Sequence, residues 1–357
     1  MSKKTVLSVF ILCLFAGWLA MGHAQAKEAP GKSQAPATLT IMTHDSFSIS
    51  KTVAQAFENR HNVTLKFLKA GDAGAALNQA ILSRNNPMAD VFFGVDNAFL
   101  SRALSADMFE PYHSPLLKNI PERFKLDKSQ RLTPIDFGDV CINYDKKWFA
   151  DKKIPPPSTM EDLAKPLYES LLVVENPATS SPGLAFLLAT ISRFGEVGQM
   201  DFWRKLKKNN ALVVNGWNEA YWGKFTAASK GDRPIVVSYA TSPAAEVFFS
   251  KEKISSPPTA AITGPGECFR QIEFAGIFAR SKNKETAKKF MDFMLDIPFQ
   301  EDIPLNMFVF PVNPDAKLPD VFAAHAKKAE KPGVVGHNKI AEKRMEWIDA
   351  WTNEMLR

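Results

Sequence analysis

Short stretches of alternating or continuous apolar character take turns with stretches of helical spacing along most of the chain. Thr38 to Thr43 alternates and is rich in β-branched residues, which predicts a strand ending at His44-Asp45-Ser46-Phe47. Val53, Ala54 and Phe57 follow at helical spacing. Asn62 to Leu68 predicts a second strand, and the turn Lys69 to Gly74 leads into a helix carrying Leu77, Ile81 and Leu82. Ala89 to Gly94 is near-continuously apolar, as in a strand buried on both faces of a parallel sheet. Asp96 or Asn97 is expected to cap the helix after it. The order β-α-β-α-β-α predicts a doubly wound parallel sheet. Ligands of such sheets sit beyond the carboxyl ends of the strands, which here carry His44, Asp45, Ser46, Asp72 and Asp96.

Pro111 to Pro134 reads as loop, and Ile135 to Tyr144 as a strand. A second alternating series begins at Ser158, expected to form a capping box with Glu161. It continues with a short helix at Met160 to Leu163, the strand Leu171 to Val174, and a helix from Pro182 to Phe194 stopped by Gly195. A helix around Met200 to Lys207, the strand Ala211 to Asn215, a helix entered through Gly216 to Trp222, the strand Pro234 to Tyr239 and a helix from Pro243 complete it. The chain then returns toward its first half. Phe269 to Ala279 is strand-like, Lys284 to Leu295 an amphipathic helix, Asn306 to Pro311 apolar, and Ile340 to Leu356 a final helix. In that helix Ile340, Met345, Ile348, Trp351 and Met355 are expected on one side.

Composition adds the compartment. Lys3 and Lys4 precede an apolar run from Val6 to Met21, and Ala24-Gln25-Ala26 has the small-x-small form of a cleavage site. Residues 1–26 therefore read as a secretory signal peptide and 27–37 as a flexible leader. No later stretch approaches the roughly 18 apolar residues of a membrane span. The 357 residues suggest about two domains. The formal charge of +6, less the two leader lysines, is mild and scattered, so nucleic acid is not an expected partner.

The most pointed local chemistry is Ser180-Ser181-Pro182-Gly183 and its echo Ser242-Pro243. Each follows an apolar run and opens a helical pattern. Ser caps a free N–H, and Pro suits the first turn. A strand feeding such a start aims unpaired N–H groups and the positive end of the helix dipole into one crevice, where an anionic or polar group fits. Asp45, Asp72 and Asp96 together favour a ligand that also carries positive charge, although each acid alone would serve as a cap. Trp217, Tyr239, Phe308 and Phe310 offer aromatic faces to a flat cation if they converge. No Gly-x-Ser-x-Gly elbow, His-Glu-x-x-His motif or phosphate loop occurs. His44 and Asp45, as neighbours on a strand, point to opposite faces and are not expected to pair. No two of the five tyrosines are adjacent, which disfavours a ferric site built on paired phenolates.

Seven segments then occur in one order. They are Asp45-Ser46-Phe47; Ala89-Asp90-Val91 with Gly94 and Asp96-Asn97; Asn143-Tyr144-Asp145-Lys146; Ser181-Pro182-Gly183-Leu184; Gly216-Trp217 with Glu219-Ala220-Tyr221; Ser238-Tyr239 with Thr241-Ser242-Pro243-Ala244; and Ile303-Pro304 with Phe310-Pro311-Val312. Together, from Leu39 to the C-terminus, they resemble the periplasmic thiamine-binding proteins of bacterial ABC importers. The resemblance implies an α/β, two-lobed fold of the type II periplasmic-binding class, each lobe a mainly parallel sheet flanked by helices. Lobe 1 would comprise 38–138 plus 270–357 and lobe 2 residues 139–269, with the ligand cleft between them.

It further implies a periplasmic receptor that captures thiamine, thiamine monophosphate or thiamine diphosphate and hands it to an ABC permease, without a cofactor and as a monomer. Thr179, Ser180, Ser181 and Tyr239 would lie near the phosphate or hydroxyethyl end, with Ser242 beside them. Trp217 would lie against the rings, and the Asp45 region would flank the site. The chain departs from the pattern in three places: His44 replaces a tyrosine, Ala245 an aromatic residue, and Phe308 a tryptophan. A receptor for another small solute (a thiamine-precursor pyrimidine, a polyamine, a phosphonate or ferric ion) and an enzyme on the same scaffold are the alternatives. Two strands, Ile135 to Tyr144 and Phe269 to Ala279, are the candidate hinge crossings. If they are neighbours, Cys141 and Cys268 either pair as a disulfide or remain two buried thiols.

Overall fold

The computed structural model describes residues 36–357. The expected signal peptide, residues 1–26, and the leader up to residue 35 lie outside the described residues. The first part of the chain forms β1 (Ala37–Thr43), α1 (Lys51–His61), β2 (Val63–Lys69), α2 (Ala73–Leu82), β3 (Val91–Asp96), α3 (Leu100–Ser105) and the two-residue β4 (Phe109–Glu110). The Ser50 hydroxyl accepts from Val53 N–H to start α1, and Asn62, in the left-handed region at φ 51°, ends it. The second strand therefore begins at Val63 rather than at Asn62.

The long strand β5 (Thr133–Asp145) leads to α4 (Lys146–Lys152), β6 (Leu172–Glu175), α5 (Ser181–Lys208), β7 (Leu212–Val214), the three-residue α6 (Trp217–Glu219), β8 (Ile235–Tyr239), α7 (Ser242–Phe249) and β9 (Thr259–Ala261). The expected helix stop at Gly195 is a break within α5, where φ is 72° and ψ 172°. The Ser158 box forms with a different acid. The Ser158 hydroxyl and N–H both donate to Asp162, while Glu161 turns away to Arg193. The chain returns through β10 (Phe269–Phe278), α8 (Lys284–Leu295), α9 (Ile297–Asn306), β11 (Phe310–Pro311), α10 (Asp320–His325) and α11 (His337–Leu356).

The strands order as β2-β1-β3-β10-β5-β8-β6-β7. β1 pairs in parallel with both β2 and β3, and β6 in parallel with both β7 and β8. Between these two parallel sets lie β10 and β5, antiparallel to each other and to their outer neighbours. β5 serves both sets: Thr133 to Val140 pairs with β10, and Val140 to Tyr144 pairs with β8. This is the mixed α/β, two-lobed architecture of the type II class.

One large core rich in aromatic residues lies under the helices, with two small apolar clusters apart from it. Phe57 packs edge-on against Phe290, and Trp203 edge-on against Trp351, with ring centroids 5.1 and 5.5 Å apart. In α11 the buried side is Ile340, Arg344, Trp347, Ile348, Trp351 and Met355, and Met345 is exposed. Five residues from Ile340 is about 500° of rotation, which turns Met345 off the buried stripe that the four- and seven-residue steps follow. Among the described residues no helix is long and apolar enough to cross a membrane.

Candidate functional site

One cavity of about 250 Å³ collects residues from both halves of the sheet. Its walls are the end of β1 with the loop after it, the start of α2, the starts of α5, α6 and α7, the middle of β10, and the loop from α9 to β11. Of the residues singled out in the sequence, His44, Asp45, Ser46, Asp72, Ser181, Trp217, Tyr239, Ser242 and Phe308 line it. Thr179, Ser180 and Asp96 do not line it; they support it.

The helix starts differ in detail from the expectation. Ser180, fully buried, is the N-cap of α5, accepting from Gly183 N–H at 3.4 Å. Ser181 is therefore one residue inside the helix, with its hydroxyl unpartnered in the protein and its residue against the cavity. Thr179 donates its hydroxyl to Asn215 O at 2.7 Å, which ties the start of α5 to the end of β7. In α7 the cap position belongs to Thr241, and Ser242 is the first helical residue. The Ser242 hydroxyl is 2.8 Å from that of Ser238 and accepts from Tyr239 N–H.

Asp72 joins the two halves. One carboxylate oxygen accepts from Ala73 N–H at 2.6 Å and from Ser181 N–H at 3.3 Å; the other accepts from Trp217 N–H at 2.8 Å. One acid thus caps its own helix and holds the first residues of α5 and α6. Burial raises its pKa against those three hydrogen bonds and the charge of His44. Asp45 plays a smaller part, accepting from Gly71 N–H at 3.0 Å, and the Ser46 hydroxyl donates to Asn218 at 3.3 Å.

The aromatic side is braced from behind. The Trp217 ring stacks on Tyr221 at 5.0 Å with 18° between planes, and its Nε1 donates to the Ser238 hydroxyl at 2.9 Å. Tyr239 donates its hydroxyl to Gln271 at 3.2 Å and meets Trp217 edge-on. Phe308 has the uncommon φ of 54°, and its carbonyl accepts from the Thr241 hydroxyl. A bulky residue in that region is strained and stays there only when its surroundings hold it. Ala245 lines the cavity, and one helical turn later Phe249 lines it too, 5.0 Å from Phe308, with Trp222 6.4 Å from Phe249. Aromatic mass thus stands one turn along from Ala245 at Phe249, with Trp222 beside it from the segment after α6.

The floor is acidic, and most of it was not visible in the sequence. Glu273 in β10 lies directly opposite Asp96 of β3 on one side and Asp136 of β5 on the other. Asp96 is fully buried and accepts from Ala98 and Phe99 N–H, so it caps a turn rather than facing the cavity. Burial, reinforced by Glu273 and Asp72, pushes its pKa up to about 8. Asp136 is equally buried, and burial with Glu273 beside it raises its pKa as well. Glu273 lines the cavity, and its Oε1 is 3.3 Å from His44 Nε2. Burial works against the His44 imidazolium, but Glu273 and Asp72 outweigh it and raise its pKa. Gly94 makes this placement of His44 possible, since a Cβ there would lie 2.5 Å from the imidazole.

The signal that marks the floor is the polar pair Gln271 and Glu273, two apart and therefore on one face of a strand whose remaining residues, Arg270 excepted, are apolar. No group of His, Cys, Asp and Glu suited to a metal ion occurs among the described residues. Cys141 and Cys268 lie on β5 and just before β10, and their sulfurs are bonded, with Cα atoms 4.5 Å apart.

The profile of bacterial extracellular solute-binding proteins matches residues 86–343. A thiamine-binding periplasmic protein of Brucella suis biovar 1 (strain 1330) is 32% identical over 354 residues, 97% of this chain and 98% of that one. The protein of the same name from Escherichia coli (strain K12) is 32% identical over 327 residues, 89% of this chain and 94% of that one. A solved periplasmic thiamin binding protein superposes with a TM-score of 0.79 at 29% identity, covering 92% of this chain and 99% of that one.

Proposed function

The chain belongs to the bacterial extracellular solute-binding proteins, and from that premise we propose that its cleft captures thiamine or a thiamine phosphate ester in the periplasm for delivery to an ABC permease. The observation that carries the reading is the mixed lining of the cavity. The start of α5 with Ser181 and the start of α7 with Ser242 line it and suit a phosphate or hydroxyethyl oxygen. Trp217, Tyr239, Phe249 and Phe308 line it too and suit flat rings, with the carboxylates of Asp72 and Glu273 for the positive charge. The lobes are 38–138 with 270–357 and 139–269, and they close about β5 and β10. The protein acts as a monomeric receptor rather than an enzyme and has no nucleic-acid partner.

Calorimetric titration with thiamine, its monophosphate and its diphosphate tests the reading. At least one should bind well below 10 μM. Dissociation constants all weaker than about 10 μM, or about −7 kcal/mol, are too weak for scavenging and would end the assignment.

A further inference from the structure

Glu273 stands in an unusual place. Three carboxylates, Asp96, Glu273 and Asp136, lie side by side on adjacent strands at the middle of the sheet. Like charges set directly opposite one another destabilise a sheet, so such a row is retained against a cost. Asp96 and Asp136 are sealed from the cavity, whereas Glu273 reaches it. Its partner is His44, whose Nε2 is at least nine-tenths buried, makes no hydrogen bond of good geometry and lies 3.3 Å away. The other groups facing His44 are Asp72 at the start of α2 and Lys69 at the end of β2, the latter committed to the Asp45 carbonyl at 2.7 Å.

We propose that Glu273 is the residue that reads the ligand's positive charge, and that protonated His44 is an internal competitor for it. The proposal rests on the reading of the cavity as a thiamine site and deepens it. A buried carboxylate needs one countercharge. Either imidazolium or the ligand's thiazolium provides it; both together would place two cations beside the Glu273 carboxylate. Thiamine therefore binds the form in which His44 is neutral and releases a proton as it enters. The thiazolium charge does not change with pH, and the basic aminopyrimidine ring is common to thiamine and an analogue that lacks only the thiazolium charge, so a difference between their pH profiles belongs to the charge pairing in the protein. Affinity weakens about tenfold for each pH unit below the His44 midpoint, at about 1.4 kcal/mol per unit.

Calorimetry of the mature protein from pH 8 to 5.5 supplies the test, with thiamine and with 3-deazathiamine, in which a neutral thiophene replaces the thiazolium. In the wild type, thiamine binding weakens toward acid with proton release, and the neutral analogue shows neither trend. His44→Gln flattens the thiamine profile and binds thiamine more tightly than the wild type at pH 5.5. Glu273→Gln weakens thiamine at least tenfold and the analogue by less than threefold. An unchanged acid slope in His44→Gln assigns the titration to the carboxylates and overturns the competition. A Glu273→Gln protein that keeps its preference for thiamine over the analogue overturns the charge-reading role. Wild-type protein that binds no thiamine at any pH overturns instead the functional reading beneath both. Should Glu273→Gln fail to fold, the His44→Gln profile still decides.

Discussion

The helix-start wall and the acidic floor of the cavity are assembled over very different lengths of chain. Ser180, Ser181, Pro182 and Gly183 are consecutive, and their hydroxyl and N–H groups meet because a short turn carries β6 into α5. Asp96, Glu273 and Asp136 come from β3, β10 and β5, and they meet because two antiparallel ladders set them opposite one another. Cys141 and Cys268 are joined by the same β5–β10 pairing, 127 residues apart. Local construction delivers backbone donors, which bind without choosing strongly among ligands. Construction by register delivers buried charge, which is costly and therefore selective. Asp72 belongs to both: it caps α2 locally and reaches the N–H groups of Ser181 and Trp217 across the molecule.

The same distinction explains what could be read from the sequence. Strand and helix alternation, the break at Gly195, the Ser-Pro starts and the turn at Trp217 all depend on a few neighbouring residues, and each stands close to where the pattern put it. Asp96 reads as a strand-end acid but faces inward, because its side chain is spent on the Ala98 and Phe99 N–H groups. The role of Glu273 is not legible locally, because nothing near it in sequence shows that β10 lies between β3 and β5. Met345 leaves the expected stripe for a local reason, the rotation per residue, and Phe249 is not legible because its aromatic partner Phe308 is 59 residues away.

Breaking the register side of the comparison should have the larger effects. Replacing Cys141 and Cys268 together with Ala removes a constraint that closes a loop of over a hundred residues. Unfolding free energy, measured in denaturant, should fall by about 2–4 kcal/mol. Ligand affinity should change less than threefold, because neither cysteine lines the cavity. A loss of affinity as large as the loss of stability would mean that the crossing strands set the cleft geometry itself.

The buried row predicts a pH dependence with a definite sign. The Asp96 pKa rises from 3.8 to about 8 on folding, so the folded protein holds that proton more tightly than the unfolded chain. Its favourable contribution is complete below about pH 4 and is lost progressively as pH rises through 8. Asp96→Asn keeps an acceptor for Ala98 and Phe99 without the charge. It should exceed the wild type by at least about 2 kcal/mol in unfolding free energy at pH 9 and match it at pH 4. Equal pH profiles would mean that Asp96 is ionised in the fold at neutral pH.

Asp72→Ala tests the residue shared by the two constructions. It removes the cap of α2 and leaves two N–H groups at the starts of α5 and α6 unanswered. Stability should fall by about 1–2 kcal/mol, the usual cost of a lost cap. Affinity for thiamine should fall at least about tenfold, and Asp72→Asn should recover most of the stability. If affinity survives in Asp72→Ala, the bridge between the halves is structural only.

The smallest effect sharpens the aromatic wall. Trp217→Ala removes a braced ring and should cost about 1–2 kcal/mol of thiamine binding, as expected for a desolvated cation–π contact. Phe249→Ala should cost less, about 0.5–1 kcal/mol, because the Phe249 side chain is more than half exposed at the mouth. The informative variant is the double change Phe249→Ala with Ala245→Phe, which moves the ring back one helical turn. If Phe249 stands in for the aromatic absent at 245, the double variant binds within about twofold of the wild type while Phe249→Ala alone is weakened. A double variant weaker than the single one would mean that the space beside Ala245 is occupied by the ligand itself. The small residue would then be part of the chain's own selectivity rather than a gap filled from the next turn.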